Sequence, residues 1–220
     1  MTGPLGRTPI SPFPWAVRIL RPIGALRALL GAPGALPAAG TPVRGTRGIE
    51  IDEVAPGDAA LDTVWERAKP ALRITGVRDA GFAAWRYAGR ADAGYRVWIA
   101  RRGAQPLAAA AYRRMVLRGI PAAFLLDLVA GSGEAAAARE LLRGAAACAR
   151  AEGACVLSAL RPGSGPARDA LRSAGFVPVP EALHPQVIRY SVRGLGRFAG
   201  DPRLADPRAW SLAWSDTDVV

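Results

Sequence analysis

The stretch AAFLLDLVAGSGEAAAARELL, residues 122–142, restricts this chain more than any other. Its opening AAFLLDLVA is a continuous apolar run of strand length, which reads as a strand in a sheet interior with both faces covered. Asp127 is its only charge. Gly131, Ser132 and Gly133 then turn the chain straight into an alanine-rich helix expected over about 134–152. Such a turn either cradles a ligand's phosphates on free N–H groups or merely redirects the chain. The functional reading depends on which.

The surrounding sequence supplies the rest of a packed domain. IEIDEV (49–54) alternates like a half-buried strand. Asp58 is placed to cap a helix carrying Leu61, Val64 and Trp65 that ends before Pro70, and Asp79 to cap a second with Phe82, Trp85 and Arg86. YRVWIARR and LAAAAYRRMVL, joined by GAQP, read as a hairpin. After the long helix come the strand ACVLSAL, a helix over about 165–174, a strand from Phe176, and strands in QVIRYSVR and AWSLAWS. In the last of these Trp210, Leu212 and Trp214 would share one face. The class expected is mixed α/β (α+β), over residues 49–220.

Residues 1–48 are broken by Pro and Gly every few positions and read as a basic leader, partly disordered, with at most one short helix. Ile19, Ile23, Leu26 and Leu30 approach helical spacing, interrupted by Pro22 and three arginines. The segment is too charged and too short to span a bilayer, so a cytoplasmic protein is expected. Residues 15–31 could lie weakly on a membrane or on another protein. The net charge of +11 comes almost wholly from arginine, and Lys69 is the only lysine. These cations are scattered through an Ala-, Gly- and Pro-rich sequence rather than gathered in a stripe with aromatics, so no nucleic-acid partner is expected. Cys148 and Cys155 are too few for a disulfide framework and lack zinc spacing, so they read as small buried hydrophobes, and no metal is expected. The only histidine, His184, sits beside Pro185 and gives no basis for a triad.

The element order, with ARELLRGAAACARAEGA followed by a strand and ARDALRSAGFVPVP, resembles the GNAT acyltransferase superfamily over residues 49–220. VRDAGFAAWRYAGRADAGYRVWIARR, FLLDLVA and WSLAWSDTDVV are similar to a bacterial branch whose members often carry two such domains in tandem. Only one complete domain fits here, and the leader would be what remains of an interdomain segment. The resemblance implies a mostly antiparallel sheet with a central splayed parallel pair, FLLDLVA and ACVLSAL, flanked by helices. It further implies acetyl-CoA as acyl donor, its pantetheine arm along Leu128, Val129 and Ala130. The pyrophosphate would rest on Gly131, Ser132, Gly133, Ala135 and Ala136, with Ser164 at a further cofactor contact. An N–H near Val129 would stabilise the oxyanion.

The sequence departs from the family's pattern at instructive places. Glu134, Ala136 and Ala138 stand where glycines are usual, and the carboxylate of Glu134 would repel a pyrophosphate. Leu171 stands where many relatives have a proton-donating Tyr, and Ser164 where an Asn is common. Asp127 either faces the cleft as a base or is neutralised by an arginine inside the fold, because an unpaired charge in an apolar strand is costly. Asp216 and Asp218 in SDTD are the other candidate bases, or a solvated turn. Trp85, Arg86 and Tyr87 either line an acceptor pocket or pack the core. Three functions fit: N-acyl transfer to a small amine, such as an amino sugar or envelope precursor; a degenerate domain acting as a binding or scaffold module; and aminoacyl transfer from tRNA, which would need a contiguous arginine surface.

Overall fold

Alternating and continuous apolar runs become strands, and the caps read from Asp58 and Asp79 start helices. The computed structural model describes residues 8–10, 15–30, 45, 48–89, 93–161, 165–180, 182, 190–192 and 195–217. Strands are β1 (Thr8–Ile10), β2 (Trp15–Ile19), β3 (Glu50–Val54), β4 (Arg96–Arg102), β5 (Gln105–Leu117), β6 (Ile120–Ala130), β7 (Val156–Leu160), β8 (Val177–Pro178) and β9 (Tyr190–Val192). Helices are α1 (Pro22–Leu29), α2 (Ala60–Ala68), α3 (Ala80–Ala83), α4 (Ala135–Ala151) and α5 (Pro166–Ser173). Asp58 accepts from the Ala60 amide at 2.8 Å and Asp79 from that of Phe82 at 2.7 Å, so both caps form.

Seven strands make one sheet in the order β3-β4-β5-β6-β7-β2-β8. All neighbours are antiparallel except β6 and β7, which run parallel with Ala122 to Leu125 opposite Val156 to Ala159. The α4 crossover makes that direction necessary, since a strand, a helix of 17 residues and a returning strand bring the second strand back alongside the first. On one face, Trp98, Tyr112, Leu125 and Leu157 pack under Leu141, Leu142 and Ala145 of α4 and Leu171 of α5. On the other, Ile99, Phe124 and Leu126 pack under Leu61 and Val64 of α2, Tyr87 and Trp214. Ala137, Ala138, Ala145, Ala146 and Ala149 of α4 are buried against the sheet.

Two expectations change. The segment read as a leader ahead of a 49–220 domain contributes β2, which occupies the sheet between β7 and β8: Trp15 lies opposite Leu160, Ile19 opposite Val156, and Val17 opposite Val177. A five-residue strand between prolines has too little alternation to declare itself, and its partners lie far along the chain. Pro22, read as an interruption, instead opens α1, where its missing N–H costs nothing. The second change is AWSLAWS. The place beside β7 is filled by β2, and this segment lies across the sheet with an isolated Ile74–Trp210 bridge and a 3₁₀ turn at Trp214–Asp216. Within QVIRYSVR, Tyr190–Val192 pairs with β1 in a separate two-stranded ribbon; residues 186–189 and 193 lie outside the described residues, as does His184.

Candidate functional site

The parallel pairing stops at Leu125 and Ala159, while β6 continues to Ala130 and β7 ends at Leu160. Divergence begins where β6 takes an extra residue. Ala111 lies opposite Asp127 and Tyr112 opposite Leu125, so Leu126 is bulged, and a bulge bends its strand. Beyond it, the β6 edge facing β7 is without a ladder partner among the described residues. An open cleft occupies the gap, lined by Leu128, Val129 and Ala130, the α5 start at Gly165 and Pro166, and Leu212 and Ala213 of the C-terminal segment.

The glycine turn closes one end. The Gly131 amide donates to the Leu107 carbonyl at 3.0 Å, that of Ser132 to Arg67 at 3.3 Å, and that of Glu134 back to Gly131 at 3.0 Å. Gly133 takes a φ of +81°, which favours glycine, and is followed by the first-turn amides of Ala135 and Ala136, which have no backbone partner outside the helix among the described residues. Glu134 is held aside: its carboxylate meets Arg67 of α2 at 3.2 Å, and Arg67 also donates to the Pro106 carbonyl at 3.3 Å. The repulsion expected of Glu134 is therefore offset by a cation that the sequence does not place beside it.

Asp127 lies at the cleft wall, buried and fully engaged. Its Oδ1 accepts from Arg78 Nε at 2.7 Å and from the Ser215 hydroxyl at 2.7 Å, and its Oδ2 accepts from the Tyr87 hydroxyl. Burial pushes its carboxyl above the usual carboxylate range, opposed by the Arg78 charge and the two hydroxyls. Burial works against the Arg78 cation, but Asp127 and Asp216 outweigh it and hold the guanidinium above its ordinary value. Burial and then the Asp127 charge push the Tyr87 hydroxyl well up, so it remains a donor. Of the two arrangements open for Asp127, the geometry is the internal ion pair.

Asp216 accepts from the same arginine through Oδ1 and from the Ala213 amide through Oδ2 at 2.9 Å. Asp127 and Asp216 thus pin the C-terminal segment to β6 through one guanidinium. Trp214 extends the clamp, its ring 5.6 Å from Phe124 and 5.3 Å from Trp15, with the Trp15 and Trp214 indoles both donating to Ser158 of β7. Asp218 and Ser164 lie outside the described residues. Leu171 of α5, at the place of the expected Tyr, is buried in the core.

Arg78 and Ser215 are the site residues that sequence reasoning did not name. The lone charge of Asp127 signalled that an arginine must come, but not which one. The Trp85, Arg86 and Tyr87 cluster divides: Tyr87 is buried against Asp127, Trp85 is 75% exposed, and Arg86 donates to the Thr217 carbonyl at 2.8 Å. Behind the Arg78–Asp127 pair lies a small, mostly apolar pocket bounded by Leu61, Phe82, Tyr87 and Val97. On the opposite face of the sheet a second buried cluster joins Glu152 to Arg96 at 3.1 Å and Arg114 at 3.0 Å, and fastens the end of α4. No helix among the described residues is long and apolar enough to cross a membrane.

A scan against protein-family models finds no match, and neither does a search of curated proteins. Among solved structures the chain is similar to the TTHA1254 protein of Thermus thermophilus, with 23% identity over 67% of this chain and 98% of that one and a TM-score of 0.43. It is similar to Saccharomyces cerevisiae N-myristoyltransferase with bound myristoyl-CoA, at 11% identity over 77% of this chain and 47% of that one, TM-score 0.48. A GCN5-related N-acetyltransferase from Kribbella flavida gives 18% identity over 78% of this chain and 56% of that one, TM-score 0.38. The sheet itself is mostly antiparallel with one splayed parallel pair flanked by helices, the architecture that the sequence resemblance implies.

Proposed function

We propose that this protein is an acyl-CoA-dependent N-acyltransferase that moves an acyl group, acetyl foremost, to a small amine such as an amino sugar or envelope precursor. The observation that supports it is the separation of β6 from β7 beyond Leu125 and Ala159. An extended pantetheine arm pairs with the vacant edge at Leu128–Ala130 as an added strand would. The amides of Gly133, Ala135 and Ala136 receive the pyrophosphate at the positive end of α4, with Arg67 neutralising Glu134. The amine nitrogen attacks the thioester carbonyl carbon, an N–C bond forms, the C–S bond breaks, and the thiolate leaves to take up a proton. The proton lost by the amine passes to water rather than to Asp127 or Asp216, both of which are committed to Arg78.

Thermal unfolding with and without acetyl-CoA tests the reading. A ligand at about 100 times its Kd adds about 2.7 kcal/mol, which for a domain of this size raises Tm by roughly 5–10 °C. No shift at millimolar acetyl-CoA contradicts it. The engagement of both carboxylates favours a second reading, a domain that binds CoA or a partner without turnover. Release of free thiol from acetyl-CoA across a panel of small amines separates the two, since a binding module shows the Tm shift but no release.

A further inference from the structure

Helix α1 is amphipathic in the wrong sense for a helix packed on a core. Gly24 faces inward, and a Cβ placed on it would come within 2.8 Å of Cys155 Sγ. The amides of Leu20 and Arg21 donate to the Cys155 carbonyl at 2.9 and 3.1 Å, so the helix is anchored to the start of β7. Among its described side chains, the large apolar ones are exposed, Ile23 at 73% and Leu26 at 58%, with Leu30 just past the helix at 78% and Ile19 just before it at 59%. Next to this stripe, Arg21, Arg27 and Arg150 line an open groove and make no ion pair among the described residues. The sequence has six arginines and not one acidic residue before Glu50, so this end of the chain supplies more than half of the net charge of +11.

We propose that this face docks on an anionic phospholipid surface, with the three arginines at the headgroup phosphates and Ile19, Ile23, Leu26 and Leu30 entering the interface. Charge complementarity selects the occupant. A neutral apolar partner would leave three arginines desolvated, and a nucleic acid would leave the four apolar side chains in water. The face lies at the N-terminal end of the parallel pair, whereas the cleft opens at the other end, so docking leaves the cleft accessible.

The test is sedimentation of the full chain with vesicles of equal parts phosphatidylglycerol and phosphatidylcholine, and with phosphatidylcholine alone. Binding is expected to the first only, and to disappear in about 1 M salt, where the screening length is about 3 Å. Replacing Arg21, Arg27 and Arg150 together by Gln should weaken it by about a hundredfold, since each cation near such a surface is worth about fivefold. Ile23→Ser with Leu26→Ser should weaken it by about tenfold or more at unchanged charge. All five side chains are exposed, so Tm should not move, and the salt series on the unaltered chain needs no variant at all. Equal binding to both vesicle types, or full binding by the triple Gln variant, would overturn the proposal. So would absence of vesicle binding, whether self-association then assigned the face to a second copy or duplex DNA binding assigned it to nucleic acid.

Discussion

Replacing Arg78 by Met removes the one cation shared by Asp127 and Asp216 while keeping most of the side chain's length. The Arg78 and Asp127 side chains are only 6% and 9% exposed, so Asp127 would be left as a buried carboxylate with two hydroxyl donors and no countercharge. Breaking one partner of such a pair costs about 3–5 kcal/mol, which for a domain of this size is a fall in Tm of roughly 10 °C. The loss must also depend on pH. Without Arg78 the folded-state pKa of Asp127 rises further above its unfolded value. A carboxyl with a raised folded pKa stabilises the fold below its unfolded pKa, and that contribution is lost as pH climbs through the folded one. The deficit of Arg78→Met should therefore be largest near neutral pH and shrink toward about pH 5, as the stranded carboxylate takes up a proton. Thermal unfolding followed by circular dichroism at the two pH values reads both effects. A deficit below about 1 kcal/mol at neutral pH, or one of the same size at both, would refute the assignment of this pair as the clamp on the C-terminal segment.

Other perturbations separate the remaining parts of the account. Val17→Pro in β2, which is flanked by strands on both sides, should cost about 3 kcal/mol or more, whereas a dispensable leader would show no change in Tm. Glu134→Gln frees Arg67 beside the glycine turn and should tighten CoA binding by about fivefold in titration calorimetry, a modest gain because the pair is partly exposed. Arg67→Gln leaves Glu134 uncompensated and should weaken CoA binding; tighter binding would reverse our account of that carboxylate. Glu152→Ala removes the buried carboxylate shared by Arg96 and Arg114; Arg96 keeps Glu53 at 2.6 Å, so the cost falls mainly on Arg114 and should be about 3 kcal/mol in denaturant unfolding, without a change in CoA affinity.

The central run from β4 to α5 was legible because its signals are local. The hairpin, the apolar strand around Phe124 and the alanine helix each carry their own periodicity, and the Asp58 and Asp79 caps mark helix starts with a residue type the backbone requires. What escaped was set by contacts distant in sequence. The pairing of Val17 with Ser158, and of Arg78 with Asp127 across 49 residues, leaves no mark on the neighbouring chain. Asp127 announced the need for a cation, yet the sequence is rich in arginine and the position of α3 decides which one arrives. The Trp-rich tail failed for a related reason. Its apolar alternation reads as a strand, whereas in the fold it carries an isolated Ile74–Trp210 bridge and buries Leu212 and Trp214 against the sheet. The glycine turn was the hardest case, because Glu134 reads as hostile to phosphate until Arg67 is seen to take it.

Hydrogen exchange of the backbone amides, measured by mass spectrometry with and without acetyl-CoA, tests the cleft directly. The expected result is slowed exchange in peptides covering Leu126–Ala130 and Gly133–Ala136, where amides facing the gap acquire partners, with β3 and β4 unchanged. Unaltered exchange across those two stretches at saturating ligand, or protection confined to another part of the sheet, would mean that the opening between β6 and β7 is not where the donor binds.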